Sequence, residues 1–285
     1  MYKFFKFICT LIVFIILTGC NDYGEKRIVK FITVDKNNIA LYYYDYRSQT
    51  PDYCSEIKEN KGIENTLTEL LSTADYDLKL CKYAVCDRDI IENNITELFY
   101  GLTNSKFSPD IIITVTDKIE DYNKYTNINL DNYPLYNCYI DDMGINTIVE
   151  DFQKNKMVIL NGKFYKKLCN EESFAFDVIN NKINKGIYTF DYYGKTISVQ
   201  LENIRKQYSV QDNVLRLKIQ AALKNYKGIP SGKEDKKDLV EIVENSLCYN
   251  IENTLNDNLM SEKLKLIWYI NICEFDNINI SVDIK

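Results

Sequence analysis

An α+β fold is expected for this chain, made of several small domains that each pack helices on a mixed or antiparallel sheet. Many short segments alternate apolar and polar residues, as half-buried strands do, while other segments repeat apolar residues at helical spacing. Hydrophobic residues make up 46% of the 285, which is enough to fill packed cores. The pair Asn161-Gly162 separates two apolar runs and is a strong signal for a two-residue hairpin.

The first part of the chain predicts a hairpin followed by alternating helices and strands. The hairpin is expected at 27–46, where two apolar segments flank the polar cluster 35–38. Leu67, Leu70 and Leu71 lie at helical spacing. The elements expected after the hairpin are a helix over 63–72, a strand over 78–85, a helix around 90–99 and a strand over 110–116.

The second part of the chain is expected to be richer in strands. A helix around 145–154 precedes the hairpin at 157–165, and a second helix follows with Phe174 and Ile179 on its apolar face. The remaining expected elements are strands at 186–190, 195–201, 214–219, 264–273 and 278–284, and a long amphipathic helix over 235–258.

Domain boundaries follow from interruptions in these patterns. The apolar pattern weakens at 122–139, where Asn, Asp and Tyr accumulate around Pro134. We therefore expect a signal peptide at 1–19, an N-terminal domain at 20–129, a middle domain at 130–185 and a C-terminal domain at 186–285.

The N-terminus has the organisation of an export signal. Lys3 and Lys6 precede an apolar run over 7–17, which is too short to cross a bilayer core of about 30 Å. The run ends in Leu17-Thr18-Gly19-Cys20, which resembles the lipobox of bacterial lipoproteins. That resemblance implies cleavage between Gly19 and Cys20 and attachment of fatty acyl chains to the Cys20 thiol, which would anchor the protein to a membrane. The alternative is an ordinary signal peptide with a chance cysteine near its end.

Composition excludes several classes of function. The formal net charge is −6, which does not suit binding to nucleic acid. The chain contains no histidine, so Ser-His-Asp and Cys-His catalysis are excluded. We expect neither a metal site nor a cofactor.

Seven cysteines follow Cys20, and none of them forms a Cys-x-x-Cys pair. An odd number cannot all be bridged within one chain. Buried free thiols are the expected state, and a bridge between Cys81 and Cys86 is the alternative. The seven are Cys54, Cys81, Cys86, Cys138, Cys169, Cys248 and Cys273.

The order of these landmarks resembles the Ger(x)C family, the lipoprotein C subunits of bacterial spore germinant receptors. Cys20-Asn21-Asp22 and the strand after it occupy the places of the family's mature N-terminus, with Asn21 where the family usually has Trp. The most specific segment is an apolar strand, a Gly-containing turn and a second strand that lead through an acidic pair into a helix. Its counterparts here are 157–160, Asn161-Gly162-Lys163, Leu168 and Glu171-Glu172.

The resemblance implies a non-catalytic, lipid-anchored subunit on the outer face of the spore inner membrane. It implies an A-type and a B-type membrane-embedded receptor subunit as partners in nutrient-triggered germination. Direct contact with a small-molecule germinant stays open.

Two other functions compete with this interpretation. A surface hydrolase would use paired carboxylates or a bound cation, with Asp141-Asp142 or Glu171-Glu172 as candidates. Adjacent acids point to different sides of a strand or helix, which disfavours both pairs. A solute-binding lipoprotein would need two larger lobes around a cleft.

Overall fold

The computed structural model describes residues 27–44, 54–117, 119, 135, 138–228, 236–264 and 277–285. The chain divides into two compact units, Met1–Tyr136 and Asn137–Lys285. Fourteen strands and six helices occur within the described ranges, and the predicted α+β class is confirmed.

In the first unit, helices pack against a mixed sheet. Its strands lie in the order β6-β5-β1-β2-β3, and β4 pairs with β1. Strands β1, β5 and β6 are mutually parallel, whereas β2 and β3 are antiparallel to their neighbours. The elements are β1 Arg27–Val34, β2 Asn38–Tyr44, β3 Cys54–Glu59, α1 Ile63–Leu71, β4 Tyr76–Asp77, β5 Tyr83–Asp87, α2 Arg88–Asn93, α3 Ile95–Asn104 and β6 Ile112–Thr116.

Local signals explain most of these elements. The first hairpin is confirmed, and the Asp35 carboxylate holds its turn by accepting hydrogen bonds from the backbone N–H groups of Asn37 and Asn38, both at 2.7 Å. The helix expected around 90–99 is divided at Asn94 into α2 and α3. The strand expected at 78–85 begins later, at Tyr83, because 78–82 forms turns.

The second unit contains an antiparallel sheet, a four-stranded sheet and three described helices. The first sheet has the order β10-β9-β8, with β7 paired to β8, and the second has the order β11-β12-β13-β14. The elements are β7 Tyr139–Asp141, β8 Gly144–Asp151, β9 Lys156–Leu160, β10 Lys163–Lys167, α4 Asn170–Ile179, β11 Lys185–Tyr192, β12 Lys195–Gln211, β13 Val214–Lys227, α5 Lys236–Asn256, α6 Asn258–Lys263 and β14 Asn277–Ile284.

The helix predicted around 145–154 is wrong, because this segment forms strand β8. Ile145, Ile148 and Val149 have the spacing of a helical stripe, but the residues between them are buried as well. The segment is rich in β-branched residues and pairs antiparallel with β9. Residues 145–150 are all buried, so both faces of the strand are covered.

Several other elements expected in the second unit are present in the structure. The hairpin of β9 and β10 is confirmed, with positive φ angles of 55° at Asn161 and 71° at Gly162. The long helix is confirmed as α5, and the last strand as β14, which pairs parallel with β13. The strand expected at 264–273 falls almost wholly outside the described residues. The three-domain division stays a prediction, and its boundary between 185 and 186 lies within β11.

Candidate functional site

The predicted cleavage and lipidation site, Gly19 and Cys20, lies outside the described residues. Both the cleavage and the acylation stay predictions. Within the described ranges, no helix combines the length and the apolar character that spanning a bilayer requires.

The first candidate carboxylate pair holds a turn of the second unit. Asp141 accepts hydrogen bonds from the backbone N–H of Met143 at 2.9 Å and from the side-chain amide of Asn146 at 3.1 Å. The Lys263 ammonium lies 2.8 Å from the same carboxylate and is the main cause of its lowered pKa. Asp142 is exposed in the turn between β7 and β8. The two acids therefore do not share a partner.

The second candidate pair lies in the first turn of α4. Glu172 forms a capping box with Cys169, since its carboxylate accepts a hydrogen bond from the Cys169 backbone N–H at 3.0 Å. The other carboxylate oxygen of Glu172 pairs with Lys166 at 3.3 Å. Glu171 is the preceding residue and adds negative charge at the positive end of the helix dipole. This arrangement stabilises a helix terminus.

Neither candidate pair therefore has two carboxylates facing each other across a substrate-sized gap. Asp141 stabilises a turn and pairs with Lys263, and Glu172 caps a helix and pairs with Lys166. Across the described ranges, no group of three or more Cys, Asp or Glu side chains could hold a metal ion.

Six of the seven cysteines after Cys20 are described, and all six are free thiols. Cys81 and Cys86 are buried and unbridged, so the alternative of a bond between them is not observed. Burial raises the pKa of both thiols well above the ordinary value, which keeps them protonated and unreactive. Cys273 lies outside the described residues.

The structure reveals a buried charged cluster in the second unit that the sequence analysis did not identify. The Lys156 ammonium lies 3.1 Å from the Glu150 carboxylate and 2.9 Å from the Asp177 carboxylate. It also donates a hydrogen bond to the Ser173 hydroxyl at 2.9 Å. The exposed fractions of Lys156, Glu150 and Asp177 are only 3%, 2% and 7%.

This buried cluster joins three elements, because Glu150 is in β8, Lys156 in β9 and Asp177 in α4. Burial also lowers the pKa of the nearby Lys182, against the opposing influence of Asp177 and Glu150. A solvent-borne substrate has no access to charges buried to this extent, so the cluster orients α4 on its sheet. The signal in the sequence is a lysine directly before an apolar run. Glu150 faces it across the β8–β9 pair, whereas Asp177 comes from a more distant part of the chain.

Surfaces suited to protein contacts lie at the sheet ends of both units. In the first unit, β3 is the terminal described strand and exposes 58% of Ile57. In the second unit, β11 pairs only with 195–202, so residues 205–211 of β12 extend beyond it. This extension exposes 48% of Tyr208 and 52% of Val210. Apolar side chains on such strands supply contact area for a partner.

No family model matches the sequence, and no curated protein matches it. The chain is similar to the crystal structure of the GerBC protein, with a TM-score of 0.47 and 11% identity, over 89% of this chain and 96% of that chain. 

Two further solved structures are more distant. The Ppx/GppA phosphatase of Aquifex aeolicus has a TM-score of 0.23 and 9% identity, over 81% of this chain and 61% of that chain. The ethanolamine utilization protein EutJ from Carboxydothermus hydrogenoformans has a TM-score of 0.20 and 10% identity, over 84% of this chain and 65% of that chain. All of these TM-scores are below 0.5, and likenesses of this size identify neither the family nor the function of this chain.

Proposed function

We propose that this chain is a lipid-anchored, non-catalytic subunit of a spore germinant receptor. It would act beside an A-type and a B-type membrane-embedded subunit, on the outer face of the spore inner membrane. The observation that carries the proposal is the tetrapeptide Leu17-Thr18-Gly19-Cys20 after a basic and apolar leader, followed by landmarks in the order typical of the Ger(x)C family.

A non-catalytic role is supported by the functions of the candidate acids. Asp141 binds Lys263 and a turn, and Glu172 caps α4, so neither carboxylate is left to act on a substrate. The chain also lacks histidine, the commonest general base.

The anchor would act by raising local concentration. Two acyl chains on Cys20 would hold the folded units within reach of the membrane-embedded partners, which raises their effective concentration. Exposed sheet-end residues such as Ile57 and Tyr208 would then supply contact area. A modest interface suffices under these conditions, because the membrane has already removed most of the translational freedom.

The test is a gene deletion followed by complementation. Spores that lack the gene should lose germination with at least one nutrient, and the wild-type chain should restore it. Complementation with Cys20→Ser should fail, and the variant should incorporate no labelled palmitate. Cys9→Ser changes another cysteine of the same leader and is the matched control, which should behave as wild type.

Two results would contradict the proposal. Normal germination of the deletion strain with every nutrient tested would exclude a receptor role for this chain. Palmitate incorporation by Cys20→Ser at the wild-type level would show that the acyl chain is attached to a residue other than Cys20.

A further inference from the structure

A polar depression lies on one face of the second unit's four-stranded sheet, where β12, β13 and β14 run side by side. Its volume is about 630 Å³, within the usual range for small-molecule sites. The backbone of Tyr208, Leu217 and Ile280 forms the floor between two rows of polar side chains, because the side chains of these three residues point to the opposite face of the sheet. The six polar lining residues are Gln207, Ser209, Arg216, Lys218, Asn279 and Ser281.

The strand register arranges these six residues in two matching rows. Lys218 is the centre of one row, between Gln207 and Ser281, because it is paired with both across the sheet. Arg216 is the centre of the other row, between Ser209 and Asn279. Each row thus contains one cation, one amide and one hydroxyl. The rows are two residues apart along each strand, a separation of about 7 Å.

We propose that this depression binds a phosphate group, with Arg216 and Lys218 as its principal ligands. All six polar side chains carry hydrogen-bond donors, and no carboxylate lines the depression. Such a concentration of donors contrasts with the chain as a whole, whose net charge is −6.

The donors are also available. All six side chains are exposed. Within the part of the chain that the structure describes, the Arg216 guanidinium makes no hydrogen bond or ion pair. Lys218 has one loose partner, since its ammonium lies 3.9 Å from the Asp283 carboxylate. Asp283 also accepts a hydrogen bond from Gln220 at 3.2 Å, outside the depression. An incoming anion therefore displaces only a weak surface ion pair.

The chemistry of the donor set favours phosphate over a carboxylate. A guanidinium binds two phosphate oxygens at once, while an ammonium acts as a point charge beside it. A phosphate group has three terminal oxygens in a tetrahedral arrangement, so it can accept from both rows together. The long side chains of Arg216 and Lys218 can converge on one group held between the rows, while the amides and hydroxyls bind the oxygens from the flanks.

This inference is independent of the proposed receptor role, because it concerns a binding surface of the second unit alone. The phosphate can come from a soluble phosphate ester or from the headgroup of an anionic lipid. Both sources present the same chemistry to Arg216 and Lys218, and the experiment distinguishes them.

The test uses the full chain purified in a neutral detergent. Inorganic phosphate and, separately, water-soluble dihexanoyl phosphatidylglycerol are titrated while binding is followed by phosphorus NMR. Arg216→Ala and Lys218→Ala should each weaken binding about tenfold, because each removes a charge-assisted contact. Lys227→Ala is the matched control, since Lys227 is exposed on the same strand, nine residues from Lys218 and thus about 30 Å away. It should bind as wild type, and circular dichroism should show all variants folded.

Each outcome has a defined meaning. Binding of inorganic phosphate with this pattern of variants supports the proposal and a soluble ligand. The same pattern with the lipid alone supports the proposal and a headgroup ligand. Absence of binding by both probes overturns it, and so does an equal loss in Lys227→Ala, which would show unspecific attraction to positive charge.

Discussion

At the scale of single residues, Lys156 has the most demanding environment in the second unit. Its ammonium is removed from water and is compensated by two carboxylates and a hydroxyl. Burying charges costs several kcal/mol per ion, and only close partners offset this cost. Removal of one member therefore leaves an uncompensated charge, whereas removal of the whole set does not.

We predict that Lys156→Met lowers the free energy of unfolding by about 3–5 kcal/mol, because Glu150 and Asp177 stay buried without their cation. A triple variant with Lys156→Met, Glu150→Leu and Asp177→Leu should recover most of this loss. Lys163→Met, at an exposed position of the adjacent strand β10, should change stability by less than about 0.5 kcal/mol. Urea unfolding measures all three. A single variant as stable as wild type would show that the buried cluster does not orient α4.

Lys206 gives the second unit a pH-dependent stability. Its ammonium donates a hydrogen bond to the backbone carbonyl of Ile179, the last residue of α4. Burial lowers the pKa of this amine from 10.5 to about 8. In the unfolded chain the pKa returns to its ordinary value, so unfolding takes up a proton between these two pH values.

Stability should therefore rise with pH from about 8 to about 10.5 relative to a Lys206→Met variant. The expected difference is about 1–2 kcal/mol, since the side chain is half-buried and solvent reduces the full effect. Urea unfolding of both proteins at several pH values measures it. Parallel stability curves for the two proteins would contradict the lowered pKa of Lys206.

At the scale of elements, the sequence predicts a strand or turn correctly where neighbouring residues alone decide its conformation. Asn161-Gly162 specified its hairpin because both residues adopt positive φ angles easily. The helix predicted around 145–154 is wrong because its apolar spacing fits a helix, whereas the strand is decided by pairing with β9, the next strand along the chain. The contact of Lys156 with Asp177 and the parallel pairing of β13 with β14 were beyond sequence reasoning, because the partners are far apart in the chain.

Gly144, at the start of β8, lies against the turn of the β9–β10 hairpin. The backbone N–H of Gly162 donates a hydrogen bond to the Ile145 carbonyl at 2.7 Å, which brings the tip of the β9–β10 hairpin onto the start of β8. Gly144 has a φ angle of 130°, and a Cβ atom there would lie 2.9 Å from the Asn161 carbonyl carbon.

Gly144→Ala should therefore destabilise the protein by about 2–3 kcal/mol, because backbone strain and a backbone clash act together. Gly194→Ala is the matched control, since Gly194 also has a positive φ angle, 74°, but nothing lies within 4 Å of its added Cβ. It should cost only about 1 kcal/mol. Thermal unfolding measures both variants, and equal losses would show that the close approach to Asn161 has no energetic weight.

At the scale of the whole molecule, the cysteines are distributed over both units without a bridge among those described. Structural disulfides usually form in proteins that are exported from the reducing cytosol. Here the two nearest cysteines in the sequence body, Cys81 and Cys86, lie in the core of the first unit as protonated thiols. Their inertness comes from burial, because desolvation disfavours the thiolate that oxidation requires.

We predict that the purified protein needs no disulfide for its fold. Alkylation under denaturing, non-reducing conditions should modify all six described cysteines, as mass spectrometry of peptides can establish. Without denaturant, Cys81 and Cys86 should react far more slowly than the exposed Cys169. The Cys169 thiol should itself react slowly, because partial desolvation is the main cause that raises its pKa to about 11. Rapid native alkylation of Cys81 would show that the first unit opens easily, and a peptide linking Cys81 to Cys86 would show that the bridged form exists. A fold without disulfides is stabilised by the burial of apolar side chains and not by covalent cross-links.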